Sequence, residues 1–319
     1  MKSSVTLPPE IDTLLAYISE NWEDVKKENI TTTSIIKNIG NKLGPYDVLK
    51  YVKIEKMNDK ELRTFSKAVY IAKNQGVEII TAFDNEYPIP LREYGYGAKV
   101  YPPLVLYRLG KPIPNKLMVA VVGTREPTDK GRKLAYEIGA ELTRRGYVVV
   151  TGFARGVDEE AANGARELGG HVVGVLPYMY EDEYLTELNR NKLLRRLVDE
   201  GYDNFTVVSE HLIKKAELVK IWLVARNRII SGMSIAVVIP ETKFKKSWGT
   251  RHQVKFGIRA GRKVLIVKPQ TDDSDIVKGF KEFVNQGAVS VSNIDEIIEY
   301  LNKEALKMQK KDETIDRWL

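Results

Sequence analysis

The sequence predicts an α/β fold, a doubly wound, mainly parallel sheet with a small helical domain at its N-terminus. Three observations support this. From Lys116 onward, apolar runs of strand length alternate with helix-length stretches, the order that builds a parallel sheet covered by helices on both faces. The first of those runs, Leu117 to Val122, is apolar at every position, which suits a strand buried on both sides. Residues 10 to 76 instead repeat their apolar positions at helical spacing.

Taken in order, Ile11, Leu14, Leu15, Ile18, Trp22 and Val25 form one helical stripe, and Ile35, Ile36, Ile39 and Leu43 a second that Gly44-Pro45 stops. Leu62, Phe65, Ala68, Val69 and Ala72 form a third, ended by Gly76. The period then changes. Val77 to Phe83 reads as a strand, followed by two proline-rich stretches, Tyr87 to Leu91 and Tyr101 to Tyr107, that enforce extended, edge-type segments. Further strands are expected at 117–122, 147–150, 172–176, 206–208, 235–239 and 264–267. A helix capped by Thr128 or Asp129 should follow the first of these, and one from Asp158 to Leu168 the second. The expected organisation is a helical module over 1–76, the α/β domain over 77–300 and a charged C-terminal helix or tail over 301–319.

Composition narrows the chemistry. With no cysteine, disulfides, thiolate nucleophiles and sulfur-ligated metal sites are excluded. The three histidines, His171, His211 and His252, contain no pair at metal-ligand spacing on a helix, so neither a metal nor a cofactor is expected. No apolar run reaches the roughly 18 residues of a membrane helix, and Met1 to Pro9 lack the pattern of a secretory signal; a cytoplasmic protein is expected. Absent cysteine together with abundant Lys, Glu and Ile leans toward a heat-adapted source. The net charge is +7, and from Lys243 to Lys268 every charged residue is basic. A second basic group comprises Arg190, Lys192, Arg195 and Arg196.

Four motifs fall where the strands of such a sheet end, which is where ligands of doubly wound folds bind. Gly123-Thr124-Arg125, continuing to Thr128, joins the first core strand to its helix. Glycine permits close approach, the helix start offers free N–H groups, and Arg125 can pair with a phosphate. Thr151 to Asp158, with Gly152, Phe153, Arg155 and Gly156, repeats this chemistry one strand away; Asp158 is placed as an N-cap as readily as a ligand. Arg226-Asn227-Arg228 precedes an apolar strand, with Arg228 assigned to structure and Trp222, one turn earlier, to the core before a base-stacking role. Ser247, Gly249 and Thr250 open a helix after the basic loop, beside Trp248, which is either a stacking residue or a loop anchor. A dinucleotide site is excluded: the three spaced glycines are missing, and the second strand ends in Val150-Thr151-Gly152 where an acid belongs.

Together these motifs resemble the DprA/Smf family, the DNA-processing protein A proteins. The family's G-S-R-x-x-S is matched by Gly123 to Thr128, its S-G-L-A-R-G-I-D by Thr151 to Asp158, and its R-N-R-I-I-x-G-L-S by Arg226 to Ser234. Its Y-P-x-x-L, P-P-x-L-Y and S-E elements are matched by Tyr87 to Leu91, Pro102 to Tyr107 and Ser209-Glu210. The resemblance spans about residues 77 to 270. It implies an extended Rossmann-like fold, single-stranded DNA binding, homodimers and assistance in loading a RecA-type recombinase during DNA uptake or recombination. By position it implies a phosphate pocket of Gly123, Thr124, Arg125, Thr128, Arg155, Arg226 and Asn227. The sequence departs from the family at Glu160 to Asn163, where a histidine is usual, and at Leu223, where an aromatic is. It departs again in the lysine-rich insertion before Ser247, and no winged-helix domain is expected after the α/β domain.

The first two motifs, side by side, give a groove rather than a point site, and two other readings stand beside DNA binding. One is a sensor of a nucleotide-derived ligand. The other is a nucleoside-monophosphate phosphoribohydrolase of the lysine-decarboxylase-like group, whose P-G-G-x-G-T-x-x-E loop supplies a catalytic glutamate. Here Gln253 stands where that acid would be, and an amide cannot serve as general acid or base.

Overall fold

The computed structural model describes residues 10–39, 43–93 and 101–315. Met1 to Pro9, read above for a signal, and the last four residues of the charged tail lie outside them. Helices α1 (Ile11–Glu20), α2 (Trp22–Val25), α3 (Thr32–Ile39) and α4 (Asp59–Asn74) form the N-terminal module. The second apolar stripe lies on α3 as far as Ile39, residues 40–42 lie outside the described residues, and Gly44-Pro45 opens a 3-10 helix, Pro45–Tyr51, where the sequence predicts a stop. Proline at the first position of that turn gives up only an N–H that no helix would have bonded. Asn58 caps α4 by accepting from the amides of Lys60 and Glu61.

The rest is a nine-stranded sheet in the order β1-β2-β6-β5-β4-β3-β7-β8-β9. The strands are β1 (Glu78–Thr81), β2 (Val105–Gly110), β3 (Met118–Val121), β4 (Val148–Thr151), β5 (Val172–Leu176), β6 (Phe205–Ser209), β7 (Ala236–Ile239), β8 (Lys263–Val267) and β9 (Val289–Val291). β1 and β2 are antiparallel additions at one edge; from β6 to β9 every pairing is parallel. β3 to β7 are buried along their whole length, as continuous apolar runs require. The architecture is therefore the Rossmann-like α/β fold that the sequence predicts, and β9 is a strand the apolar pattern did not mark.

Helices α5 (Ile89–Glu93), α6 (Asp129–Arg144), α7 (Val157–Glu167), α8 (Lys192–Asp199), α9 (Val219–Met233), α10 (Trp248–Arg259), α11 (Ser274–Asn285) and α12 (Ile294–Ile315) complete the chain. α12 runs unbroken through residue 300, where a boundary was expected. No helix among the described residues is long and apolar enough to cross a membrane. α6 and α7 cross in close contact. A Cβ at Gly139 would overlap the carbonyl of Ala161, and one at Gly164 that of Tyr136, so glycine at both positions sets how near the helices come. The N-terminal module is tied to the sheet by Glu20 at the end of α1. Its carboxylate accepts from the Leu212 amide at 2.7 Å and lies 3.0 Å from Nδ1 of His211, whose ring stacks on Trp222 of α9 at 3.8 Å between centroids. Trp222 is buried, a core residue and not a platform for bases.

Candidate functional site

The chain order β3, β4, β5, β6 proceeds to one side of β3, and β7, β8, β9 lie on its other side. The loops leaving β3 and β7 therefore part in opposite directions, and a crevice opens between them at the carboxyl ends. A cavity of about 240 Å³ fills it, lined by Gly123, Arg125, Asp158, Asn227 and Trp248 among others. A second, of about 310 Å³, adjoins it above β4 and β5 and reaches Arg155, Asn191 and Lys192. Arg125, Ala154, Leu223 and Arg226 line both, so the two form one groove. All four motifs singled out in the sequence meet along it. A larger cavity, about 650 Å³, lies between α1 and α4 and contains none of them.

Arg226 forms the floor of this groove. The sequence placed it in a segment ahead of a strand, whereas it lies inside α9 and is only 9% exposed. Its guanidinium donates to the carbonyls of Gly152 and Val175. The β4–β5 ladder ends at the pairing of Thr151 with Gly174, so both carbonyls lie beyond it, and the arginine supplies donors there. Burial pulls its pKa down to about 10, against the opposing field of Asp158 and with the help of nearby Arg125. Gly152 is glycine because a Cβ there would stand 2.6 Å from the Arg226 guanidinium. Arg226 thus lines the groove while its hydrogen bonds hold the sheet's rim together.

Asp158 was read as an N-cap or a ligand. The cap of α7 is instead Gly156, at φ +86°, where a Cβ would press into the Thr124 carbonyl. Asp158 is the second residue of α7 and reaches back to accept from the amides of Gly152 at 2.9 Å and Gly123 at 3.3 Å. Burial raises its pKa; Arg226 and the amide bonds oppose that rise. Glu241, which sequence reasoning missed, plays the matching part at α6: it accepts from the Thr128 amide at 2.9 Å and the Thr128 hydroxyl at 2.6 Å, and its own carbonyl accepts from the Thr124 amide. Thr128 is the cap of α6, accepting from Gly131. The amides of Gly123, Gly152 and Thr128, expected to face a ligand, are therefore taken by the chain's own carboxylates. Buried amides past a strand end or at a helix cap must find acceptors within the fold, and a carboxylate at the start of a helix supplies one while answering the helix dipole.

Other expected ligands are also engaged internally. Thr124 is buried and its hydroxyl accepts from the Glu126 amide; Phe153, at φ +53°, packs its ring over Gly174. Ser247 is buried with its hydroxyl donating to the Phe244 carbonyl, and Thr250 donates to the Gly123 carbonyl at 3.3 Å. Asn227 donates to the Gly249 carbonyl, and Arg228 pairs with Glu210 at 2.6 Å, the structural role assigned to it. Gln253 joins its amide to the Asn227 carbonyl and the Ser231 hydroxyl.

What faces outward is a set of cations around one open helix start. No side chain caps α10, and its exposed Gly249 lies on the groove beside Arg125 and Lys246. Arg125 is exposed and forms no ion pair with a described residue. Arg155 and Lys246 both reach Glu126, at 3.2 and 2.6 Å, and Lys246 holds the Glu126 carboxyl below its usual range. Trp248 is 56% exposed at the mouth, which excludes the loop-anchor reading. The second basic group is different: Arg190 and Arg195 both pair with Glu187, and Arg196 reaches Glu159 and Asn163, leaving Lys192 to the groove. The signal that could have revealed Glu126 was its place in the first motif, between two basic loops.

Comparison with known proteins agrees with this architecture. The chain is 28% identical over 233 residues to DNA processing protein DprA of Bacillus subtilis, covering 72% of this chain and 73% of that one. It is 29% identical to the Smf protein of a Synechocystis strain, over 75% of this chain and 57% of that one. Among solved structures it superposes on DNA processing protein A of Streptococcus pneumoniae with a TM-score of 0.62, covering 91% and 93% of the two chains at 22% identity. For the Helicobacter pylori protein, whose structure is described for its single-stranded DNA binding mode, the TM-score is 0.56 at 24% identity, covering 72% of this chain and 96% of that one. Residues 78–302 match the model of the DNA recombination-mediator protein A family, spanning every strand of the sheet and every motif of the groove, and the chain belongs to that family.

Proposed function

We propose that this protein binds the phosphate backbone of single-stranded DNA along the groove, without catalysis, and assists the loading of a RecA-type recombinase as a homodimer. The observation that carries the reading is the open start of α10, flanked by Arg125 and Lys246, at one end of a groove continuous from Trp248 to Lys192. A row of cations along a furrow suits a polyanion better than one compact ligand. The relative from Helicobacter pylori is described as binding single-stranded DNA, and the family's name supports the recombination role. The buried carboxylates at the groove serve amides, and Gln253 stands in place of the acid a phosphoribohydrolase would use.

Because contacts are to phosphates, affinity should be indifferent to base sequence and fall steeply with salt, by about 0.7 log units per log unit of salt for each phosphate neutralised on a single strand. Replacing Arg125 and Lys246 together by glutamine should lower the affinity for oligothymidylate and flatten the salt slope by about 1.4. Unchanged binding by this double variant at low salt sinks the assignment. Calorimetry with mononucleotides covers the sensor reading, which requires them to bind more tightly than a short single strand.

A further inference from the structure

The exposed face of α10 carries a second line of groups leading out of the groove. Trp248, His252, Lys255 and Arg259 are spaced four, three and four residues apart, which puts them on one side of a helix. The indole meets the His252 ring edge-on at 4.9 Å between centroids, so it is braced by its neighbour and still open to solvent. Lys255 and Arg259 are exposed, and neither forms an ion pair with a described residue. His252 has its pKa lowered by burial and by Lys255, which leaves the charge of this face to the lysine and the arginine at neutral pH. On the flank toward α11, Arg251 is neutralised by Glu282 through two bonds of 2.6 and 2.9 Å. Charge is cancelled there and kept on the Trp248 face.

Several exposed arginines elsewhere are paired, Arg144 and Arg145 with Glu141 and Arg190 and Arg195 with Glu187. A helix built only for solubility gains from alternating signs, yet Lys243 to Lys268 contain no acid. The stripe begins at a groove wall, since Trp248 lines the cavity between the β3 and β7 loops. From Trp248 to Arg259 it runs about 16 Å along the helix.

We propose that this face is an exit track for single-stranded nucleic acid: a base stacks on Trp248 as the strand leaves the groove, and the following phosphates lie against Lys255 and Arg259. The inference rests on the reading of the groove as a single-strand site and adds to it a length-dependent second segment. Stacking on an exposed aromatic tolerates any base, and two unpaired cations beyond it supply backbone contacts without sequence readout.

The test compares two fluorescent oligothymidylates in titrations of the full chain, one of about 5 nucleotides, enough for the groove, and one of about 30, well beyond the roughly 4–16 that one binding domain covers. The variants are Lys255→Gln with Arg259→Gln, and a control, Arg190→Gln with Arg195→Gln, that removes the same charge from a paired patch. The track predicts that the first variant binds the short probe like wild type, binds the long probe at least about fivefold more weakly, and shows a salt slope shallower by about 1.4 for the long probe only. The control should match wild type on both. Equal loss on both probes, equal loss in the control, or no loss on the long probe overturns the track while leaving the groove intact. Wild-type protein that binds neither probe removes the groove reading, and the track falls with it.

Discussion

Replacing Arg226 by methionine separates two roles that its position allows, ligand contact and internal support. The substitution keeps most of the side-chain volume and removes the guanidinium. The carbonyls of Gly152 and Val175 would then lose their donor, at about 1–3 kcal/mol for each buried acceptor left unpaired. Asp158 would lose the positive field that opposes its desolvation. Removing one member of a buried charged set costs about 3–5 kcal/mol, and we expect a loss of that order at pH 7. The loss should appear as a lower urea midpoint and a melting temperature reduced by about 10 °C. The pH dependence has a definite sign. A carboxyl whose folded pKa is raised contributes fully to stability below its unfolded pKa, near 3.9, and loses that contribution as pH rises through the folded value. Without Arg226 the folded pKa rises further, so the gap between variant and wild type should narrow from pH 7 toward pH 4. A variant as stable as wild type at neutral pH, defective only in binding DNA, would refute the argument and make Arg226 a phosphate ligand.

Other consequences are equally open to measurement. Thr128→Ala removes the α6 cap and leaves the Glu241 carboxylate one bond short; unfolding in urea should show about 1–2 kcal/mol lost, with DNA affinity nearly unchanged. Gly164→Ala forces a methyl into the Tyr136 carbonyl across the α6–α7 crossing and should cost about 1–3 kcal/mol or more, read from thermal melts. Glu126 competes with phosphate for Arg155 and Lys246, so Glu126→Gln should tighten oligonucleotide binding about two- to fivefold. Its pKa is lowered in the folded protein, so the gain over wild type should persist at neutral pH and disappear only as acid protonates the native glutamate.

The sheet was legible in the sequence because a strand buried on both faces must be apolar throughout, as Met118–Val121 and Val172–Leu176 are. β9 was not: Val289–Val291 is three residues long with only its last residue buried, too short to show a pattern. The groove's location followed from motifs at strand ends, but the direction in which their donors point did not. Thr128 and Glu241 stand 113 residues apart in sequence, and no local spacing reveals that one fills the other's hydrogen bonds. The same holds for Arg226, whose acceptors lie 74 and 51 residues away. Short-range rules place a glycine turn or a helix start; which buried group satisfies it depends on how distant strands are brought side by side.

Asp158, in the first turn of α7, and Glu241, lodged against the start of α6, act as resident acceptors. With them in place, the Gly123, Gly152 and Thr128 amides along the crevice are satisfied by the chain itself, so on the reading proposed above the ordering cost of association would fall on the incoming strand and the rim side chains, not on the backbone of the sheet. Should the proposed binding hold, the parts left to adjust on release would be the lysines and arginines of the lip, since the backbone beneath them is already braced.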